Sequence, residues 1–254
     1  MAFRIYDLAV TDTIANEKTV TKTESAYRLL RLEILRARLL PGTPLKLEAL
    51  RGAYGLGWTP LREALSRLEA EGLVRAISNR GFVVAPVSQP ELEDLTRARL
   101  VVELPLLEEA IAQGGSDWED RIVTAHYRLS RANVDPANTS EVEIDEWEEK
   151  HEAFHSALIG AASSTWLLRF RSQISDQLHR HHRVLSLGPT LRARQSDRRD
   201  DETIAALREA MAIDNHTGLM KAVLDRDATL AQRLMVDHIG YTLNVFSRAE
   251  GQNR

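Results

Sequence analysis

Cysteine is absent from all 254 residues, which excludes disulfide bridges and thiolate metal sites and fits a reducing compartment. No apolar run approaches the roughly 18–20 residues that would span a bilayer, so no membrane partner is expected. The first 25 residues lack a continuous apolar stretch with a small-residue cleavage site. No secretory leader is read there, and a cytoplasmic location is expected. Charge of one sign is lacking too: the formal net charge is only −4, which argues weakly against nucleic acid. What the chain does have is 43% hydrophobic residues, enough for a real core and too many for extended disorder. Its length suits two domains or one large one.

The small net charge hides an asymmetry. Residues 1–85 hold 13 basic and 9 acidic side chains, a net +4, and the remainder carries −8. A mildly basic front half on an acidic back half suits one end that meets DNA and one kept away from it.

Residues 1–22 are polar and weakly patterned, and read as a loose arm. From Thr23 the apolar residues Tyr27, Leu30, Ile34 and Leu35 recur at helical steps. Pro41-Gly42 stops that helix. Lys46 to Tyr54 reads as a second, short helix, followed by a tight turn bracketed by Gly55 and Gly57. A third helix is expected to open at Thr59-Pro60, with Thr59 capping and Pro60 in the first helical position. Its apolar face is Leu61, Ala64, Leu65 and Leu68; Arg62, Glu63, Ser66 and Arg67 face outward. Two short strands, 73–77 and 82–85, flank the turn signal Asn79-Arg80-Gly81. Residues 23–86 therefore read as a winged helix-turn-helix domain.

Ser88 and Glu91 form a capping-box pattern that opens the second part. Helical patterns follow near 89–113, 116–132, 140–161, 164–187, 200–225 and 227–248. The fold class is thus mainly α, with an N-terminal winged helix-turn-helix and, over residues 87–250, an all-helical bundle of about six helices.

In a helix-turn-helix the second helix enters the major groove N-terminal end first. That end carries Trp58, Thr59, Arg62 and Glu63. Arg62 is placed to reach a guanine edge or a phosphate. Arg67, with Arg80 and Gly81 of the wing, is expected at the DNA backbone or minor groove. The string Leu40-Pro41-Gly42 … Tyr54-Gly55-Leu56 … Thr59-Pro60-Leu61-Arg62-Glu63-Ala64-Leu65 … Glu71-Gly72-Leu73-Val74 … Asn79-Arg80-Gly81-Phe82 resembles the DNA-binding domain of the GntR family of transcription regulators. One departure stands out: the family often has arginine just before the Thr-Pro pair, where this chain has Trp58.

Seven of the eight histidines lie after residue 150. His151 and His155 are four apart on one helix, so their imidazoles share a face. That is a workable chelating pair for a divalent metal. His216 and His238 sit on the last helical segments, which a bundle can bring alongside. His179, His181 and His182 fan around a helix beside Arg180. They cannot all reach one ion, and read as a polar pocket wall or a solvated face.

The back half is similar to the FCD ligand-binding domain of the FadR-type branch of the same family. The resemblance implies a metal site built from an aspartate, a histidine four residues on, and two later histidines. His155, His216 and His238 match the histidines, and His151 stands where the aspartate would. A four-histidine set implies zinc, nickel or a similar borderline metal. Alternatively, Asp145 or Glu148 supplies the missing carboxylate. Arg99 and Glu103 match an arginine and a glutamate of the FCD pattern, and with Arg180 they are expected to line the effector pocket, where a guanidinium grips a small carboxylate. Arg99 and Glu103 could also be an ordinary helical ion pair.

The expected protein is then a homodimeric repressor that binds a double-stranded DNA operator and answers to a small carboxylate beside a divalent metal. No catalytic residue is assigned. Two alternatives share the same residues: a sensor of the metal ion itself, and a metal-dependent hydrolase, because His151-Glu152-Ala153-Phe154-His155 fits the HExxH pattern.

Overall fold

The computed structural model describes residues 21–78, 81–132, 134–187 and 201–251. The arm expected over 1–22 lies almost wholly outside them. Helix α1 (Lys22–Leu35) starts where Thr21 accepts a hydrogen bond from the Glu24 amide at 3.1 Å. It is followed by β1 (Pro44–Leu45), α2 (Leu47–Tyr54), α3 (Trp58–Ala70), β2 (Val74–Ile77) and β3 (Gly81–Val84). The three strands form an antiparallel sheet in the order β1-β3-β2, with Leu45 opposite Phe82 and Val74 opposite Val84. The periodicity gave no sign of β1, because two residues are too short to show alternation. Tyr27, Leu30, Ile34 and Leu35 meet Leu61, Ala64, Leu65 and Leu68 in one wholly apolar core.

The start of α3 differs from the expectation. Gly57, not Thr59, is the N-cap, and Trp58 takes the first helical position. Pro60 sits two residues further in, which costs nothing because first-turn amides have no helical partner. The preceding turn needs Gly55, whose φ of 66° is left-handed and ends α2.

The second region begins with α4 (Gln89–Gln113). Ser88 caps it through the Glu91 amide at 3.4 Å. It continues through α5 (Ser116–Ser130), α6 (Glu141–Leu158), α7 (Thr165–His182), a π-helical turn (Arg183–Leu187), α8 (Asp201–Met211), α9 (Ile213–Leu224) and α10 (Ala228–Gly251). Ser140 and Glu143 make a complete capping box at the start of α6. The single helix expected over 200–225 is two helices, broken where Ala212 adopts an extended ψ of 128°. Neither glycine nor proline marks the break. Local side-chain bonds span it: the Asn215 side-chain amide donates to the Glu209 carbonyl at 2.9 Å, and the His216 ring reaches the Ala212 carbonyl at 2.9 Å. The break expected at Gly188-Pro189 lies outside the described residues.

A second apolar core, around Leu106, Leu107, Trp118, Phe154, Leu158, Leu219 and Met235, holds this bundle together. Gly114 is required here: a Cβ would lie 2.0 Å from the Trp118 ring. Among the described residues, no helix is long and apolar enough to cross a membrane.

Candidate functional site

Helix α6 presents His151 and His155 on one face, α9 presents His216, and α10 presents His238. The Nε2 atom of His155 lies 3.1 Å from that of His151 and 3.0 Å from that of His238, and the last two are 3.4 Å apart. One ligand atom from each of the four imidazoles falls within 4.8 Å of all the others. His155, His216 and His238 are buried. The His216 Nδ1 faces the Ala212 carbonyl, which can only accept, so Nδ1 carries the proton. Its buried Nε2 is then a bare lone pair without a hydrogen-bond partner. That is the state of a metal-ligating imidazole fixed from behind. Burial, followed by mutual repulsion, holds His151, His155 and His238 well below the ordinary imidazole range, and burial pushes His216 down to about 4. All four are neutral donors at pH 7, and the set suits zinc, nickel or another borderline metal. Trp147 stacks on His151 at 4.6 Å, and Phe154 stands edge-on to His155 and His216.

Asp145 and Glu148 do not join the cluster. Arg183 binds both, and Arg36 reaches Asp145 at 3.2 Å. A guanidinium between two carboxylates outcompetes the more distant imidazoles for them.

A cavity of about 120 Å³ opens beside the histidines; Arg99, His151, His179, His182, His238, Glu148 and Glu152 are among its polar lining residues, and Leu178, Leu207, Ala210, Met211 and Val245 among its apolar ones. The Arg99 Nε meets the buried Glu103 at 3.0 Å, and Glu103 meets the Arg171 Nε at 3.0 Å. Arg171 continues to Glu152, which also accepts from Ser175 at 2.8 Å. Burial alone would raise the Glu152 carboxyl, but Arg171 beside it holds it below its ordinary value. The central glutamate of the HExxH string is therefore an ion-pair partner of Arg171 rather than a base. Glu103 is not among the cavity-lining residues; it anchors Arg99, which is.

The three clustered histidines of α7 divide their tasks. His179 and His182 line the cavity. The His182 Nε2 is buried without a hydrogen-bond partner, and burial, then Arg99, lowers this ring to about 3. His181 turns away to the Gln177 carbonyl and Glu91. Arg180, expected in the pocket, lies elsewhere. It is 1% exposed and donates to the Ala85 carbonyl at 2.7 Å and the Pro86 carbonyl at 3.3 Å. A helix turns about 100° per residue, so neighbours of the cavity-facing His179 must face something else. Here that is the connection to the winged domain. The same outer face of α7 holds Gln177, which donates to the Glu71 carbonyl at 2.9 Å, and Asp176, paired with Arg31. Sequence reasoning missed this docking and the Glu103–Arg171–Glu152 chain. The one signal was the charge density of α7, which does not reveal partners.

On the winged domain, Trp58, Thr59 and Arg62 are exposed at the start of α3. Arg51 lies over the Trp58 ring at 5.4 Å, so α2 brings a cation to the place where the family arginine is missing. Arg67 is exposed, bonds Glu24 at 2.9 Å and lies 3.5 Å over the Tyr27 ring. Gly81 opens β3 with a φ of 85°, and Arg80 lies outside the described residues.

Comparisons with known proteins agree with this two-part structure. Residues 22–84 match the model of the bacterial regulatory proteins of the gntR family, and residues 94–241 match the FCD domain. The chain is 32% identical over 235 residues to the HTH-type transcriptional repressor GlaR of Escherichia coli, spanning 92% of this chain and 100% of that protein. It is also 32% identical over 237 residues to the HTH-type transcriptional regulator BphR of Paraburkholderia xenovorans, spanning 91% of this chain and 87% of that one. In fold it is similar to McbR/YncC of E. coli, with a TM-score of 0.69 at 19% identity over 93% of this chain and all of that one. A GntR-type structure from a Rhodococcus species gives a TM-score of 0.64 at 17% identity over 92% of this chain and 99% of that one.

Proposed function

This chain belongs to the GntR family of bacterial regulatory proteins and carries an FCD domain, and on that premise we propose that it is a repressor whose operator affinity is set by a small organic acid bound beside a divalent metal. The observation that carries this reading is the convergence of four imidazoles from α6, α9 and α10, three of them buried, two of which, His151 and His238, line a cavity. His151, His155, His216 and His238 would hold the ion. Bound there, it supplies positive charge that none of these neutral ligands cancels.

Helix α7 connects that cavity to the DNA-binding region. Ser175, His179 and His182 line the cavity, while Asp176, Gln177 and Arg180 bind α1, the end of α3 and the connecting segment at Ala85 and Pro86. An acid that draws His182 inward shifts α7, and with it the winged domain. In a homodimer this changes the spacing of the two recognition helices and hence the fit to two half-sites. Trp58, Thr59 and Arg62 read the DNA, with Arg51 as a further basic residue at that face. The regulator reading leaves the HExxH string without a catalytic role, because its glutamate is bound by Arg171. A soluble regulator of this kind works in the cytoplasm.

Selection of bound duplexes from fragments of the source genome tests this. The expected result is a two-fold symmetric site, bound with steep salt dependence, that Arg62→Ala weakens by about 1–3 kcal/mol. Removing metal with a chelator is expected to abolish any release by added acids. Recovery of no preferred sequence, with and without zinc, would sink the proposal.

A further inference from the structure

The cavity is polar at one end and apolar at the other. At the polar end stand His151 and His238 of the histidine centre, Arg99 and His182. The Arg99 guanidinium lines the cavity and is ion-paired to Glu103 through its Nε, and a guanidinium can grip a carboxylate at two points. The His182 Nε2 is buried with nothing to bond, a state that a ligand oxygen would relieve. The two lining carboxylates, Glu148 and Glu152, are already neutralised by Arg183 and Arg171.

The other end is built differently. Leu207 and Val245 belong to a small apolar cluster with Ile144 and Ala206, against which Ala210 and Met211 pack. Val245 lies seven residues beyond His238 on α10, so about 10 Å along the helix axis. Among the described lining residues, no cation stands there. A charge placed at this end would gain no partner from the described lining residues. The cavity, at about 120 Å³, is no larger than the ~150 Å³ of an apolar cavity that accepts benzene, so the acid it takes, carboxylate included, is small.

We propose that the effector is a small monocarboxylic acid with an apolar body: its carboxylate lies at Arg99, His182 and the histidine centre, and its body lies against Leu207, Met211 and Val245. This rests on the acid-effector reading above and narrows it by excluding acids with a second charge at the far end.

The test is calorimetric titration of the zinc-loaded full-length protein with hexanoate, benzoate and adipate. Adipate matches hexanoate in carbon number and adds a carboxylate at the far end. Hexanoate or benzoate is expected to bind at least about tenfold more tightly than adipate, and His182→Leu to weaken hexanoate by roughly tenfold. Met211→Arg places a cation at the apolar end and is expected to reverse the order. Adipate binding as well as hexanoate to the unaltered protein overturns this inference and leaves the acid-effector reading standing. Failure of all three acids to bind overturns both.

Discussion

The two regions of this protein differ most in what they bury. Among the described residues of the winged domain, the buried set is Ala26, Tyr27, Leu30, Ile34, Leu35, Leu45, Leu50 and their apolar neighbours, with no charged side chain. All the buried charged and imidazole groups, among them Glu103, Glu148, His155, Arg171, Arg180, Arg183, His216 and His238, lie in the helical region. A domain that acts through its outer surface can fill its interior for stability alone. One that must enclose a small ligand has to bring polar groups inside, pair each of them, and leave a few unpaired for the ligand.

Three changes would break or sharpen that contrast. The largest effect is expected from Glu103→Leu, which leaves the buried Arg171 beside an apolar side chain and removes the partner of the cavity-lining Arg99. Removing one partner of a buried charge pair costs about 3 to 5 kcal/mol. Urea unfolding should show the loss in the helical region, and a loss below about 1 kcal/mol would mean that water already screens the pair. Next comes Leu65→Ala in the winged domain, at a position with 0% exposure. A cavity there costs about 3 kcal/mol. It should abolish DNA binding while zinc affinity, followed by competition with a chromophoric chelator, stays the same. If zinc affinity fell in parallel, the two cores would be one cooperative unit.

The smallest effect concerns pH. Burial and Arg99 lower His182 to about 3, whereas in the unfolded chain it titrates near 6.5. Above pH ~6.5 the ring is neutral in both states and stability does not depend on it. Below that, the unfolded chain binds a proton that the folded one refuses, so stability falls as pH drops towards 3. Thermal unfolding at pH 7.5 and 5.5 should therefore show a smaller loss for His182→Gln than for the unaltered protein, by a few degrees. Equal losses would place His182 in contact with water.

Much of the winged domain was legible because its signals are local. Tyr27, Leu30, Ile34 and Leu35 repeat at helical spacing, and Leu61, Ala64, Leu65 and Leu68 do the same. The i, i+4 pair His151 and His155 was equally plain, since one helix fixes both. The expected cap at Thr59 moved to Gly57, and β1 was invisible, because such boundaries depend on partners across the sheet and turn. The break at Ala212 had no sequence mark, yet the His216 ring is oriented by the carbonyl that the break frees.

The sequence by itself determined the two-part order of the chain, the helical faces, and which imidazoles were available as donors, because periodicity and residue chemistry act over one or two turns. Only the tertiary structure decided that His216 and His238 meet His151 and His155, that Arg180 bonds the connection to the winged domain and does not line the cavity, and that His182 looks into the cavity. Those outcomes depend on how helices far apart in sequence rotate against one another, and that rotation is set by the packing of the whole core.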